Sequence, residues 1–245
     1  MCGRFVQATP VAELARLFGF GDLPNLEPRW NVAPTQDIAA VTRDAGGQRH
    51  LQRLRWGLVP AWAREPGIGS RMINARADGV AEKPAFRSAF RARRCLIPAD
   101  GFYEWQAAGG RAGRKQPFYI LPADRAAMPV LAFAGLWESW TGPASAPAGA
   151  APDRPLRTAT IITTDANGTM RRLHDRMPVV LDPADWAAWL DPATAPRDLL
   201  ALLCPAPEHV LTLRPVSPRV NSVRTQGADL IQPAPPPVDE APRLL

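Results

Sequence analysis

Lysine is nearly missing from this sequence: among its 29 basic residues, only Lys83 and Lys115 are lysine. That scarcity leaves few candidates for a lysine-based Schiff base and moves attention to the α-amine at the start of the chain. Cysteine is also sparse. Cys2, Cys95 and Cys204 contain no C-x-x-C pair, which argues against a disulfide framework and fits a reducing cytoplasm. Three scattered cysteines and three scattered histidines lack metal-ligand spacing, so no metal site is expected. There is no P-loop, no glycine-rich dinucleotide motif and no G-x-S-x-G elbow, and no cofactor is expected. No apolar run is long enough to span a bilayer, and Arg4 is not followed by the apolar stretch of a secretory signal.

What remains is the composition of a folded globule. In 245 residues, 46% are hydrophobic and eight are Trp, enough for one large domain or two small ones. The formal charge of +6 permits a polyanionic partner such as nucleic acid. The chain is rich in Arg, Ala and Pro, a bias that coding composition can produce as well as selection for charge, so its weight as an argument is modest.

Cys2 carries the chemistry of most interest. Initiator Met is removed when the next side chain is small, and its removal here leaves a 1,2-aminothiol. The amine condenses with an aldehyde to an imine, and the thiol closes onto that imine as a five-membered thiazolidine. An α-amine pKa of about 7.7–8 and a thiol pKa of about 8.5 leave both nucleophiles partly available near neutrality. The competing reading is an ordinary residue in a frayed terminus.

Along the chain, Thr9-Pro10 reads as an N-cap and N1 proline opening a helix through Val11, Leu14, Leu17 and Phe18. Residues 28–34 read as irregular, 38–42 and 51–59 as strands, and 84–94 as a helix with Phe86 and Phe90 on one face. Strand-like runs follow at 102–105, 117–121, 130–137, 158–164 and 177–181. Asp182-Pro183 opens a helix through Trp186, Trp189 and Leu190, and 199–203 marks another. Stretches 106–116 and 141–155 read as surface insertions. The pattern predicts one β-rich α+β domain over residues 1–232, with a Pro-rich tail at 233–245 expected to be disordered.

Several polar residues stand where neither a core nor a turn asks for them. Strand alternation puts Phe102 and Glu104 on one face and Tyr103 and Trp105 on the other. A carboxylate beside aromatic rings suits a general acid or base, and a solvent-facing Glu is the equal alternative. His174, just before a strand, is catalytic or structural. Asn74 orients a substrate or holds a turn. Arg4 and Arg76 could each grip a phosphate bidentately, against the ordinary reading of solvated charge.

These segments also resemble a known family. Met1-Cys2-Gly3-Arg4, Trp30-Asn31-Val32-Ala33-Pro34, Trp56-Gly57-Leu58-Val59-Pro60, Ile73-Asn74-Ala75-Arg76, Gly101-Phe102-Tyr103-Glu104-Trp105 and His174-Asp175-Arg176-Met177-Pro178 occur in the order of the SOS response-associated peptidase (SRAP) family. Asn221-Ser222-Val223-Arg224 and the 226–231 stretch are similar to its C-terminal signature. The resemblance implies one α+β domain with a barrel-like β core flanked by short helices, and a basic groove for single-stranded DNA. It implies covalent crosslinking to abasic sites in that DNA, through Cys2, with Asn74, Glu104 and His174 completing the site. It further implies phosphate contacts from Arg4 and Arg76, and a DNA-facing surface that includes Pro34, Trp62, Thr163 and Arg176. A cytoplasmic, nucleoid-associated monomer without a membrane partner follows, with replication-fork proteins as further partners. Ala63 stands where some relatives carry a second Trp, and residues 78–82 are short where relatives place a DNA wedge.

Three activities are consistent with this. The first is an abasic-site sensor forming a thiazolidine, with β-elimination as a side reaction. The second is a thiol peptidase with Cys2 as nucleophile, its own Met1 being one substrate. The third is a non-covalent reader of single strands or modified bases.

Overall fold

In the computed structural model, which describes residues 2–106, 115–142 and 155–234, the apolar and β-branched runs pair into two sheets. In chain order the elements are β1 (Phe5–Gln7), α1 (Val11–Phe18), β2 (Arg29–Val32), β3 (Asp37–Arg43), β4 (Arg49–Trp56), β5 (Asn74–Arg76) and α2 (Arg87–Ala92). They continue with β6 (Arg94–Ala99), β7 (Gly101–Gln106), β8 (Gln116–Pro122), β9 (Leu131–Trp140) and β10 (Leu156–Asp165). The last are α3 (Gly168–Arg171), β11 (Arg176–Pro178), α4 (Trp186–Leu190), α5 (Pro196–Ala201) and β12 (Leu211–Pro215).

Strands β4, β3, β6, β9 and β10 pair in sequence, and β10 returns to β4 through Thr158↔Arg55 and Ala159↔Trp56, closing a five-strand barrel. Closure removes the exposed edges an open sheet would present. A second sheet in the order β12-β8-β7-β1-β2 lies alongside. The fold is therefore a β-rich α+β domain, as the sequence pattern predicts, with the barrel core and short helices that the family resemblance implies.

The period of two along the strands divides the core. Ala39, Val41, Leu51 and Leu96 join a cluster with the helices, where Phe18 stacks on Trp186 at 4.3 Å. Ile38, Ala40, Leu54 and Trp56 join a second cluster with Phe5, Phe102 and Phe133, and Cys2 belongs to it. Phe5 meets Trp56 edge-on at 5.0 Å, a favourable aromatic geometry.

Some local expectations are corrected. The 84–94 helix is shorter, because Arg94 begins β6; its guanidinium donates to the carbonyls of Phe90, Arg91, Trp189 and Asp191. Residues 29–32 form a strand rather than an irregular segment, because β1 pairs with them. Thr9 does not cap α1; its hydroxyl donates to Asp100 at 2.7 Å, and Pro10 is the N-cap. Strand β4 ends at Trp56, where Gly57 turns with φ 127°. Asp182 does cap, accepting from the Ala184 N–H ahead of α4. Residues 107–114 and 143–154 of the two insertions, and 235–245 of the tail, lie outside the described residues.

Candidate active site

Cys2 is fully buried, just before β1. The β1–β7 pairing, Phe5↔Phe102 and Val6↔Gly101, continues to Arg4, whose carbonyl accepts from the Tyr103 N–H at 2.9 Å. That register sets the start of the chain beside Glu104. Glu104 is 5% exposed, so the solvent-facing alternative is excluded. The Cys2 thiol is pushed strongly upward from its ordinary pKa, first by burial and then by the Glu104 charge, with an Arg4 backbone hydrogen bond opposing.

Asn74 reaches the same place from the barrel. Strand β5 runs parallel to β10, with Ile161↔Asn74 in register, and the Trp56 indole donates to the Ile73 carbonyl at 2.9 Å. The preceding turn depends on two glycines in contact: a Cβ on Gly57 would lie 2.5 Å from the Gly69 carbonyl oxygen. So held, Asn74 donates through Nδ2 to the Cys2 carbonyl at 2.9 Å, while its buried Oδ1 accepts no hydrogen bond from the described residues.

His174 follows α3, whose N-terminus is capped by Asn167 and by Glu208, the latter accepting from the Gly168 and Thr169 N–H groups. The His174 N–H donates to Met170 at 2.9 Å. Nδ1 sits between the Arg176 N–H at 3.0 Å and an Asp175 carboxylate oxygen at 2.6 Å. The first contact needs a lone pair on Nδ1 and the second a proton, so only one of the two is a hydrogen bond at a time.

Glu104 and His174 line one cavity of about 840 Å³, with Arg4, Trp105, Lys115, Pro218 and Asn221. A second cleft of about 770 Å³, between residues 23–29 and β1, α1 and β3, is lined by none of the predicted site residues. Among the described residues no group of three or more His, Cys, Asp or Glu is placed to hold a metal ion.

The predicted DNA-facing residues are placed less uniformly. Arg76 on β5 is engaged bidentately by Asp78, at 3.0 and 2.9 Å. Arg176, 8% exposed, reaches Asp165 at 3.0 Å and Asp78 at 3.5 Å. Thr163 lies between them on β10 but is fully buried, so its side chain supports this surface from below. Pro34 is half-buried in the turn after β2. Trp62 is 58% exposed, its indole donating to the Pro84 carbonyl at 3.3 Å. Ala63 is 1% exposed and packs with Val59 and Trp140, so position 63 belongs to a small core here.

Trp105, Lys115, Pro218 and Asn221 were not singled out as site residues. Trp105 and Asn221 stand in motifs recognised by order alone, and only the fold brings them together: the Trp105 indole donates to Asn221 Oδ1 at 2.7 Å, across 116 residues.

A family model for SOS response associated peptidases matches residues 1–223. Among curated proteins, the chain is 40% identical over 235 residues to the abasic site processing protein YoaM of Bacillus subtilis, covering 94% of this chain and 97% of that one. It is 33% identical over 231 residues to the abasic site processing protein HMCES of Xenopus tropicalis, covering 83% of this chain and 65% of that one. Among solved structures, a Bacteroides thetaiotaomicron protein aligns with a TM-score of 0.81 at 24% identity, over 95% of this chain and 100% of that one. A phage-related protein of Bordetella bronchiseptica aligns at 0.65 with 30% identity, over 88% and 94%.

Proposed function

This chain belongs to the SOS response associated peptidase family, and on that premise we propose that it processes abasic sites in single-stranded DNA by forming a covalent thiazolidine through Cys2. The observation that carries the proposal is the convergence on Cys2 of Asn74, bonded to its carbonyl, and Glu104, whose charge reaches its thiol. His174 lines the same cavity as Glu104.

Removal of Met1 frees the Cys2 amine. An abasic deoxyribose exchanges between a closed hemiacetal and an open aldehyde, and His174 assists opening by moving a proton between the ring oxygen and the C1′ hydroxyl. The amine nitrogen then bonds to C1′, giving a carbinolamine. The Glu104 carboxylate takes the nitrogen proton and passes it to the departing hydroxyl, so that water leaves and the imine forms. The thiol adds across the C=N bond: sulfur bonds to C1′ and its proton passes to nitrogen. No oxidant or external cofactor is needed. Asn74 holds the Cys2 backbone still, and its Oδ1 suits the incoming amine or a sugar hydroxyl as donor.

The thiol environment bears on the order of steps. A buried thiol beside a carboxylate stays protonated near neutrality, which favours attack by the amine first. The same feature disfavours a thiol peptidase, whose nucleophile is the thiolate. A single-stranded substrate fits because the reacting sugar must be splayed out, and unstacking costs least there.

The test is a denaturing gel of the Met1-free protein with single-stranded DNA carrying one abasic site. A band that survives heat and detergent, lost in Cys2→Ala, is expected, and mass spectrometry of it should give the DNA plus protein less one water. No such band from wild type overturns the covalent reading. Single-strand binding by wild type without any adduct would favour the non-covalent reader.

A further inference from the structure

Asn31 is fully buried, polar, and remote in sequence from everything it touches. Its Oδ1 accepts from Arg4 Nη1 at 2.8 Å. Its Nδ2 donates to the carbonyls of Ser222 at 2.9 Å, Thr225 at 3.0 Å and Val220 at 3.3 Å. The amide orientation is unambiguous, because a guanidinium only donates and a carbonyl only accepts. Arg4 Nη1 also donates to the Val220 carbonyl at 3.1 Å, and its guanidinium carbon lies 5.7 Å from the Trp105 ring centre.

A buried amide needs partners, but this one uses them to join three separate parts of the chain. The 220–225 segment is pinned from its other side by Gln226, which accepts from the Trp30 N–H at 2.9 Å and donates to the Asn31 carbonyl at 3.1 Å. The result is a brace whose working end is Arg4 on the cavity wall.

We infer that Asn31 is a positioning residue that, braced by residues 220–226, presets the Arg4 guanidinium for one phosphate of a single strand entering the cavity. A long cationic side chain otherwise loses rotamer freedom on binding; here that ordering is done during folding. The inference rests on the single-strand binding proposed above, but not on the thiazolidine chemistry.

The experiment is a double-mutant cycle on binding of intact, lesion-free single-stranded oligonucleotide, read by fluorescence anisotropy over a salt series, with thermal unfolding of each variant. Arg4→Ala is expected to weaken binding about ten-fold and to flatten the slope of log affinity against log salt by about 0.7, one phosphate's worth. Asn31→Ala should reproduce most of the loss and the same slope change, and the double variant should bind no worse than Arg4→Ala. Should Asn31→Ala fold poorly, exposed Gln226→Ala loosens the same brace from the surface and should show the same non-additivity with a smaller loss. Independent losses, or a loss without change of salt slope, overturn the inference. Failure of wild type to bind any single strand overturns both proposals; binding without an abasic adduct overturns only the covalent one.

Discussion

The Asn74 side chain holds Cys2 by its backbone: Nδ2 donates to the Cys2 carbonyl at 2.9 Å, and Oδ1 is buried without an acceptor role among the described residues. The reactive terminus proposed for Cys2 needs such a tether, because a free terminus samples many positions and a 1 Å misplacement can cost a hundred-fold in rate. Asn74→Ala should therefore slow adduct formation at saturating DNA by about ten- to a hundred-fold while leaving affinity for intact single strands near wild type. An equal loss in affinity with no change in rate would show that Asn74 serves binding rather than the reaction. Rate and affinity come from timed quenching over a DNA concentration series.

Asp78 competes with any phosphate for Arg76. Its carboxylate holds Arg76 bidentately and touches Arg176, and the Arg76 hydrogen bond keeps it below the usual carboxylate range. The pair is exposed, so it contributes little to stability and is screened by salt. Asp78→Asn should leave the melting temperature nearly unchanged and tighten single-strand binding by a few-fold at low salt, the gain fading toward 1 M. Weaker binding in the variant would mean that the carboxylate aligns Arg76 rather than occupying it.

Gly57 cannot carry a side chain. Its φ of 127° is unfavourable for any L-residue, and a Cβ would strike the Gly69 carbonyl. Gly57→Ala should destabilise by on the order of 3 kcal/mol. Since this turn leads β4 toward the 66–71 segment and β5, adduct formation should fall with stability as temperature rises. Chemical denaturation with and without the substitution measures the first, and the gel assay at two temperatures the second.

His50 bridges Asp22 at 2.7 Å and Asp44 at 3.0 Å. The Asp44 hydrogen bond, and then that of Asp22, raise the His50 pKa above its ordinary 6.5. Its contribution to stability is thus fully present below 6.5 and is lost as pH rises through the higher folded value. Asp44 is lowered from 3.8, chiefly by the same hydrogen bond, so its share is present above 3.8 and fades in stronger acid. The melting-temperature difference between wild type and His50→Gln should be largest between about pH 4 and 6.5 and shrink as pH rises through the raised His50 value. A difference constant over that range would show that the ring acts only by packing.

Much of the fold was legible because burial on strands leaves a period of two. The runs at 38–42, 117–121 and 158–164 sit inside β3, β8 and β10. What escaped were strands whose pairing is decided far away. β1, β2 and β5 are three or four residues long, too short for a period, and exist because β7, β1 and β10 pair with them. Arg94 reads as the end of a helix by composition, yet four backbone carbonyls from two helices hold it at the start of β6. For the site, motif order named Cys2, Asn74, Glu104 and His174, but nothing local in the sequence distinguishes Asn31 from a turn asparagine. Its partners lie 27 to 194 residues away.

The Arg4 contact with Val220 spans 216 residues. During synthesis the chain emerges from its N-terminus, so Arg4 is made first and the segment that braces it almost last. Contacts of such high sequence separation also form late because their loop closure is costly. A nascent or stalled chain thus carries Arg4 without the brace that holds it. A chain that stops anywhere before residue 220 therefore lacks the partner of Arg4, however much of the barrel has formed.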